Sequence, residues 1–136
     1  MSATQNLTYS VIQVVHNLGA VAVVGGSLAA TRLHNADTRK KLARLALGGW
    51  AVQAASGAAF GAVSYYFYGR FPDISGIAIY ALVIKMVCAA IGFLLLAAYL
   101  FRSERWKEAG IYTVWIASLS LAVVAISSAA FLRWFA

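Results

Sequence analysis

Charged residues fall in short clusters along this chain and leave four long apolar stretches between them. No Asp, Glu, Lys or Arg occurs from Met1 to Thr31, from Leu45 to Gly69 or from Ala109 to Leu132, and Lys85 alone interrupts Ile74 to Phe101. About 20 apolar residues in helical form cross a hydrocarbon core of ~30 Å, so each stretch is long enough to span a bilayer. The pattern predicts four transmembrane helices near 9–33, 42–68, 74–101 and 107–133. The turns between them are too short to let two consecutive helices run the same way, which gives an all-α, up-down-up-down antiparallel bundle with residues 1–136 as one domain. The first stretch lacks a basic n-region and is too long for the apolar core of a signal peptide, so it reads as a retained span.

The basic residues orient the bundle. Arg32, Arg39, Lys40, Lys41 and Arg44 flank the first turn and Arg102, Arg105 and Lys107 the third, whereas only Arg70 and Arg133 lie at the opposite ends. The positive-inside rule then makes the turns near 34–41 and 102–107 cytoplasmic and both termini extracytoplasmic, as in a bacterial inner-membrane protein. Tyr9, Tyr65, Tyr66, Tyr68, Phe71 and Trp134 mark the outer interface and Trp106 the inner one. Composition agrees: 62% of the 136 residues are hydrophobic and 11% charged, against about 25% charged in an average soluble domain. The net charge of +7 is accounted for by topology and contact with anionic lipid, and calls for no nucleic acid. One cysteine excludes an internal disulfide framework, a CxxCH haem attachment and a cysteine-rich zinc site.

Lipid is as apolar as the helices it surrounds, so association rests on close backbone approach at small residues. The packing candidates are Gly25 and Gly26 in the first helix, Gly57 and Gly61 as a GxxxG pair in the second, Gly92 in the third, and Ser127 and Ser128 in the fourth. Such faces serve contacts within the chain or with another subunit equally well.

Two ionisable residues lie deep within the spans, His16 and Lys85, where each costs several kcal/mol unless it is paired or wet. Counted at ~1.5 Å per residue, both sit about 10–12 Å below the outer boundary. Steps of three and four from His16 meet Gln13, Gly19, Ala20 and Ser27, and steps from Lys85 meet Ala78, Ala81, Cys88, Ala89 and Gly92, so both point along small-residue faces. Gln53 is placed deeper in the second helix. From the residues alone His16 reads either as a structural histidine bonded to a neighbouring carbonyl or serine, or as a ligand. Lys85 either snorkels to the outer surface, is held neutral, or meets a carboxylate from a ligand or partner. His34 reads as a solvated interfacial residue and Cys88 as a packing thiol.

The run His16-Asn17-Leu18-Gly19, followed by Gly25-Gly26 and Arg32-Leu33-His34, resembles the first helix of HemJ-type protoporphyrinogen oxidases and of copper-resistance D-like membrane proteins, and Ile84-Lys85-Met86 is similar to their third-helix lysine. The resemblance implies a b-haem cofactor bound through His16, which would then be the metal ligand, with Lys85 as a charge or propionate contact.

The inventory narrows the chemistry. A bis-histidine haem needs two facing histidines at one depth, and the spans contain one. Hydrolytic or metal-dependent catalysis lacks a membrane-embedded carboxylate, and acid-driven exchange through the first helix lacks an acid in residues 1–31. Two functions remain. The favoured one is an integral subunit that packs against other membrane subunits of a larger complex, respiratory or otherwise electron-transferring, with lipid or quinone contacts and no soluble active site. The other is a HemJ-like haem-binding oxidoreductase using His16 and Lys85.

Overall fold

Ser2 and Gln5 start the first helix earlier than the hydropathy pattern does. Ser2 Oγ accepts from the Gln5 amide at 3.2 Å while Gln5 Oε1 accepts from the Ser2 amide at 2.7 Å, a reciprocal cap that satisfies two free N–H groups. In the computed structural model, which describes residues 2–135, α1 therefore runs Ala3–Arg32. Asn35 caps the second helix by accepting from Thr38 N at 2.9 Å, so α2 runs Ala36–Tyr68 and carries Arg39, Lys40, Lys41 and Arg44 on its first turns. The turn expected over 34–41 shrinks to residues 33–35. Gly69, at φ 66°, ends α2 in the left-handed conformation that glycine adopts without steric cost. The sole proline, Pro72, lies in the connection to α3, Ile77–Arg102. A short 3₁₀ turn, Ser103–Arg105, leads to α4, Glu108–Phe135.

The four long helices pack as an antiparallel bundle, with α1 along α2, α3 along α4, and the pairs α1/α4 and α2/α3 closing a square. α1 and α3 face each other across one diagonal, α2 and α4 across the other. Three helices, α1, α3 with its 3₁₀ extension, and α4, are long and apolar enough to cross a membrane. α2 falls short of the fourth expected span on composition. Its charge-free part holds Gly48, Gly49, Gln53, Ser56, Gly57, Gly61, Ser64 and three tyrosines, which dilute its apolarity although its 33 residues are ample in length.

Small residues set the closest approach, at positions that differ from helix to helix. A Cβ on Gly19 would stand 3.1 Å from the Gly49 carbonyl oxygen, and one on Gly49 2.8 Å from that of Gly19, so α1 and α2 touch backbone to backbone there. Gly26 packs on Ala46 and the Leu42 carbonyl, and Gly92 receives the Trp50 indole, whose atoms lie 2.5 Å from where a Cβ would be. Gly25 and Gly57 face open space, and Gly61 meets Phe71 alone, at 3.7 Å. Ser128 is buried and Ser127 exposed, and both hydroxyls bond back to carbonyls of their own helix. Between the glycine contacts the core is filled by Val23, Trp50, Leu96, Tyr99 and Trp115 with many alanines, while Leu18, Tyr66, Leu94, Phe101 and other large apolar side chains cover the outside. An exterior this apolar fits a lipid environment rather than water.

Candidate functional site

His16, on α1, is buried, and each of its polar groups has a partner. Its Nδ1 lies 2.7 Å from Ser56 Oγ on α2. The Ser56 hydroxyl in turn donates to the Val52 carbonyl one turn back, which leaves its oxygen to accept from Nδ1–H. That network assigns the tautomer with the proton on Nδ1 and the lone pair on Nε2. Lys85 of α3 reaches across the diagonal and places Nζ 2.8 Å from Nε2. The Gln53 side chain donates to the backbone carbonyl of His16, and the Phe60 ring meets the imidazole in a T-shaped arrangement at a centroid distance of 6.0 Å. Equal depth and inward faces thus become a direct contact, and α2 holds the imidazole in place from the other side.

Beside the pair lies a cavity of about 320 Å³, bounded by all four helices. Its polar end is formed by Gln13, His16, Asn17, Gln53 and Lys85, and the rest of its wall is valine, alanine, Ile126 and the Trp50 ring. Exposed Val21 and Ile126 among the lining residues place its opening on the outer surface between α1 and α4. Gln13 and Asn17, bonded to each other at 2.7 Å, are also exposed there. Trp50 itself is 3% exposed and its Nε1–H has no hydrogen-bond partner. Deeper along α1, Ser27 bonds Ser118 of α4 at 2.8 Å and closes the two helices below the cavity.

A second polar tie occupies the other diagonal at the opposite end. Arg39, 2% exposed, extends from α2 so that Nη1 meets Glu108 Oε1 of α4 at 2.6 Å and Nε donates to the Ala30 carbonyl of α1. Arg39 therefore lies inside the bundle end, whereas the charge pattern places it with the interfacial basic residues. The adjacent Lys40–Glu104 pair, at 2.8 Å, is exposed. Hydrogen bonding and the charge of Lys40 hold the Glu104 carboxyl below its usual range, and the same contact raises Lys40.

His16 Nε2, the atom that would hold a haem iron if the resemblance held, is turned onto Lys85 Nζ at 2.8 Å, so the expected ligand and the expected propionate contact bond each other directly in this structure. Among the described residues no three His, Cys, Asp or Glu side chains come together as a metal-binding group. Cys88 is buried among the core residues and His34 is exposed. Ser56 and Trp50 are the site residues that the sequence pattern leaves unmarked, since serines and tryptophans at helical spacing carry no signal of which neighbour they face. No family profile, curated protein or solved structure matches the chain.

Proposed function

We propose that the chain is an integral membrane protein whose four helices all cross the bilayer, and that it holds a small apolar molecule in the cavity beside the His16–Lys85 pair. The observation that carries this reading is the company the lysine keeps: a long cationic side chain is turned inward across the bundle onto an imidazole at the wall of an apolar cavity. A lysine near the outer boundary has a cheaper route to the headgroups, and ligand sites have this composition, an apolar wall with a few convergent polar groups. α2 counts as a span because its charge-free part is flanked by helices of sufficient apolarity on both sides and the side chains of Gln53 and Ser56 bond within the bundle. Eight basic residues at the α1/α2 and α3/α4 ends support cytoplasmic turns and extracytoplasmic termini.

Native mass spectrometry of the detergent-solubilised protein tests the reading. Wild type should retain one small molecule per chain, and Ala125→Leu or Ala129→Leu, which fill the cavity from α4, should release it without loss of helicity. A wild-type chain that sheds every adduct as readily as the filled variants would refute it.

A second reading, a subunit within a larger membrane complex, draws on different residues. Gly25, Gly48 and Gly57 have nothing within 4 Å of a Cβ position, and the bonded carboxamides of Gln13 and Asn17 face outward. These are flat and polar surfaces that another helix would cover. Purification in mild detergent with stoichiometric partner chains would support it, and a monodisperse monomer would count against it.

A further inference from the structure

The four acidic residues of the chain all lie away from Lys85. Glu104 pairs with Lys40 and Glu108 with Arg39 at the far end of the bundle, Asp37 sits in the first turn of α2, and Asp73 lies in the α2–α3 connection with no bond to Lys85. Among the described residues the lysine's polar partner is the His16 ring nitrogen, which supplies a lone pair and no charge. An ammonium has three N–H donors and His16 uses one, so two remain beside the cavity. Trp50 contributes its ring to the cavity wall, while its Nε1 is packed against Gly92 of α3. Apart from the carboxamides of Gln13, Asn17 and Gln53, the rest of the wall is aliphatic. At about 320 Å³ the cavity is at the small end of the ~300–1,000 Å³ range of ligand pockets, and it opens sideways, where an alkyl tail could continue between α1 and α4.

We propose that the occupant is a single-chain amphiphile with a carboxylate head, of the long-chain fatty acid class, whose carboxylate pairs with Lys85 and whose chain lies against Trp50 and the valines and alanines of α1 and α4. The proposal rests on the reading of the cavity as a binding site. A carboxylate supplies the negative charge that the protein withholds from Lys85, two oxygens match two free N–H groups, and a single chain suits a cavity with no room for the two tails of a phospholipid. His16 acts as a positioning residue: its lone pair, held outward by Ser56, fixes the ammonium at the cavity wall.

The test uses the full chain in lipid nanodiscs and two probes, a bromine-labelled long-chain fatty acid and its methyl ester, with tryptophan quenching as the readout and Trp50→Phe to identify the part of the signal that comes from the cavity. The acid should quench the Trp50 component saturably at about tenfold lower concentration than the ester, the worth of one charge-assisted hydrogen bond. Lys85→Met should erase that difference and Lys85→Arg restore it. Saturable quenching by acid and ester at equal concentrations, or a Lys85→Met protein that still prefers the acid, would overturn the carboxylate assignment while leaving the cavity a binding site. Absence of saturable Trp50 quenching by either probe would overturn both.

Discussion

Replacing Lys85 by Met should leave the stability of the bundle nearly unchanged while removing its capacity to hold an acidic ligand. The substitution deletes the Nζ–Nε2 bond to His16; hydrogen bonds between membrane helices average about 0.6 kcal/mol and reach about 1.7. Methionine is unbranched and close in length, so the space along α3 stays filled at a cost below about 1.5 kcal/mol. Against these losses stands the cost of carrying an ammonium into the bundle. On insertion scales a lysine at mid-membrane costs about 2.5–3.5 kcal/mol, and Lys85 is half-buried and lies nearer one end of its helix than the other, so about half of that applies. In an unfolded, micelle-bound chain the ammonium reaches water, and folding removes it. The terms nearly cancel and keep the methionine variant within about 1 kcal/mol of wild type. Unfolding in mixed micelles of increasing SDS content, followed by circular dichroism, measures it. A loss of about 2 kcal/mol or more would show that the His16–Lys85 tie holds the helices together, and the argument that Lys85 serves a ligand and not stability would fail.

Gly92→Ala should destabilise by about 1–3 kcal/mol in the same titration, because its Cβ would fall 2.5 Å from the packed Trp50 indole, whereas Gly57→Ala, in open space, should be neutral or gain up to about 1 kcal/mol. Glu108→Ala should cost more than Arg39→Met, on the order of 3 kcal/mol against less, since the first leaves a buried cation unpaired and the second leaves a carboxylate that is 60% exposed and free to hydrate. The depressed Glu104 carboxyl makes a contribution that is complete above the ordinary carboxylate range and disappears as pH falls through its lowered value, and the raised Lys40 makes one that is complete below the ordinary lysine range and disappears as pH rises through its raised value. Glu104→Gln should therefore leave the melting temperature unchanged at acid pH and lower it slightly at neutral pH, an exposed pair being worth little; a larger effect at acid pH would invert the assignment. A reporter joined after Ala136 should be extracytoplasmic and one inserted at His34 cytoplasmic, and the reverse labelling would overturn the orientation.

The four helices were legible because charge is expensive in lipid and its gaps are long. Their first turns were not. Polar residues such as Thr4, Gln5 and Asn6 depress hydropathy, yet the Ser2–Gln5 cap makes helix of them, and Asn35 does the same for the charged start of α2. The depth of His16 and Lys85 followed from counting rise per residue, and their inward faces from helical periodicity. Their contact required the rotation of α1 against α3, which no single helix encodes. Ser56 was invisible for the same reason: it bonds a residue 40 positions away. Arg39 shows the opposite failure, in which a clear local signal, the basic cluster, conceals a partner 69 positions along the chain.

The placement of the two polar ties follows from the geometry of a square bundle. Adjacent helices packed through small residues sit about 8–10 Å apart, so the diagonals are roughly 11–14 Å. Serine spans the sides, as Ser27 and Ser118 do between α1 and α4 and as Ser56 does between α2 and His16. Diagonals need the longest side chains, and those are cations: Lys85 reaches from α3 to α1 and Arg39 from α2 to α4. A cation that bridges a diagonal must pass beside the bundle axis, and there its needs diverge. Arg39, at the end of the bundle that carries the α1–α2 and α3–α4 connections, meets an acid that remains half in water. Lys85, nearer the opposite end, meets a neutral imidazole and a cavity. The same reach that ties the bundle at one end therefore leaves an unbalanced charge facing an apolar space at the other, where a ligand that brings both a carboxylate and a hydrocarbon chain satisfies both at once.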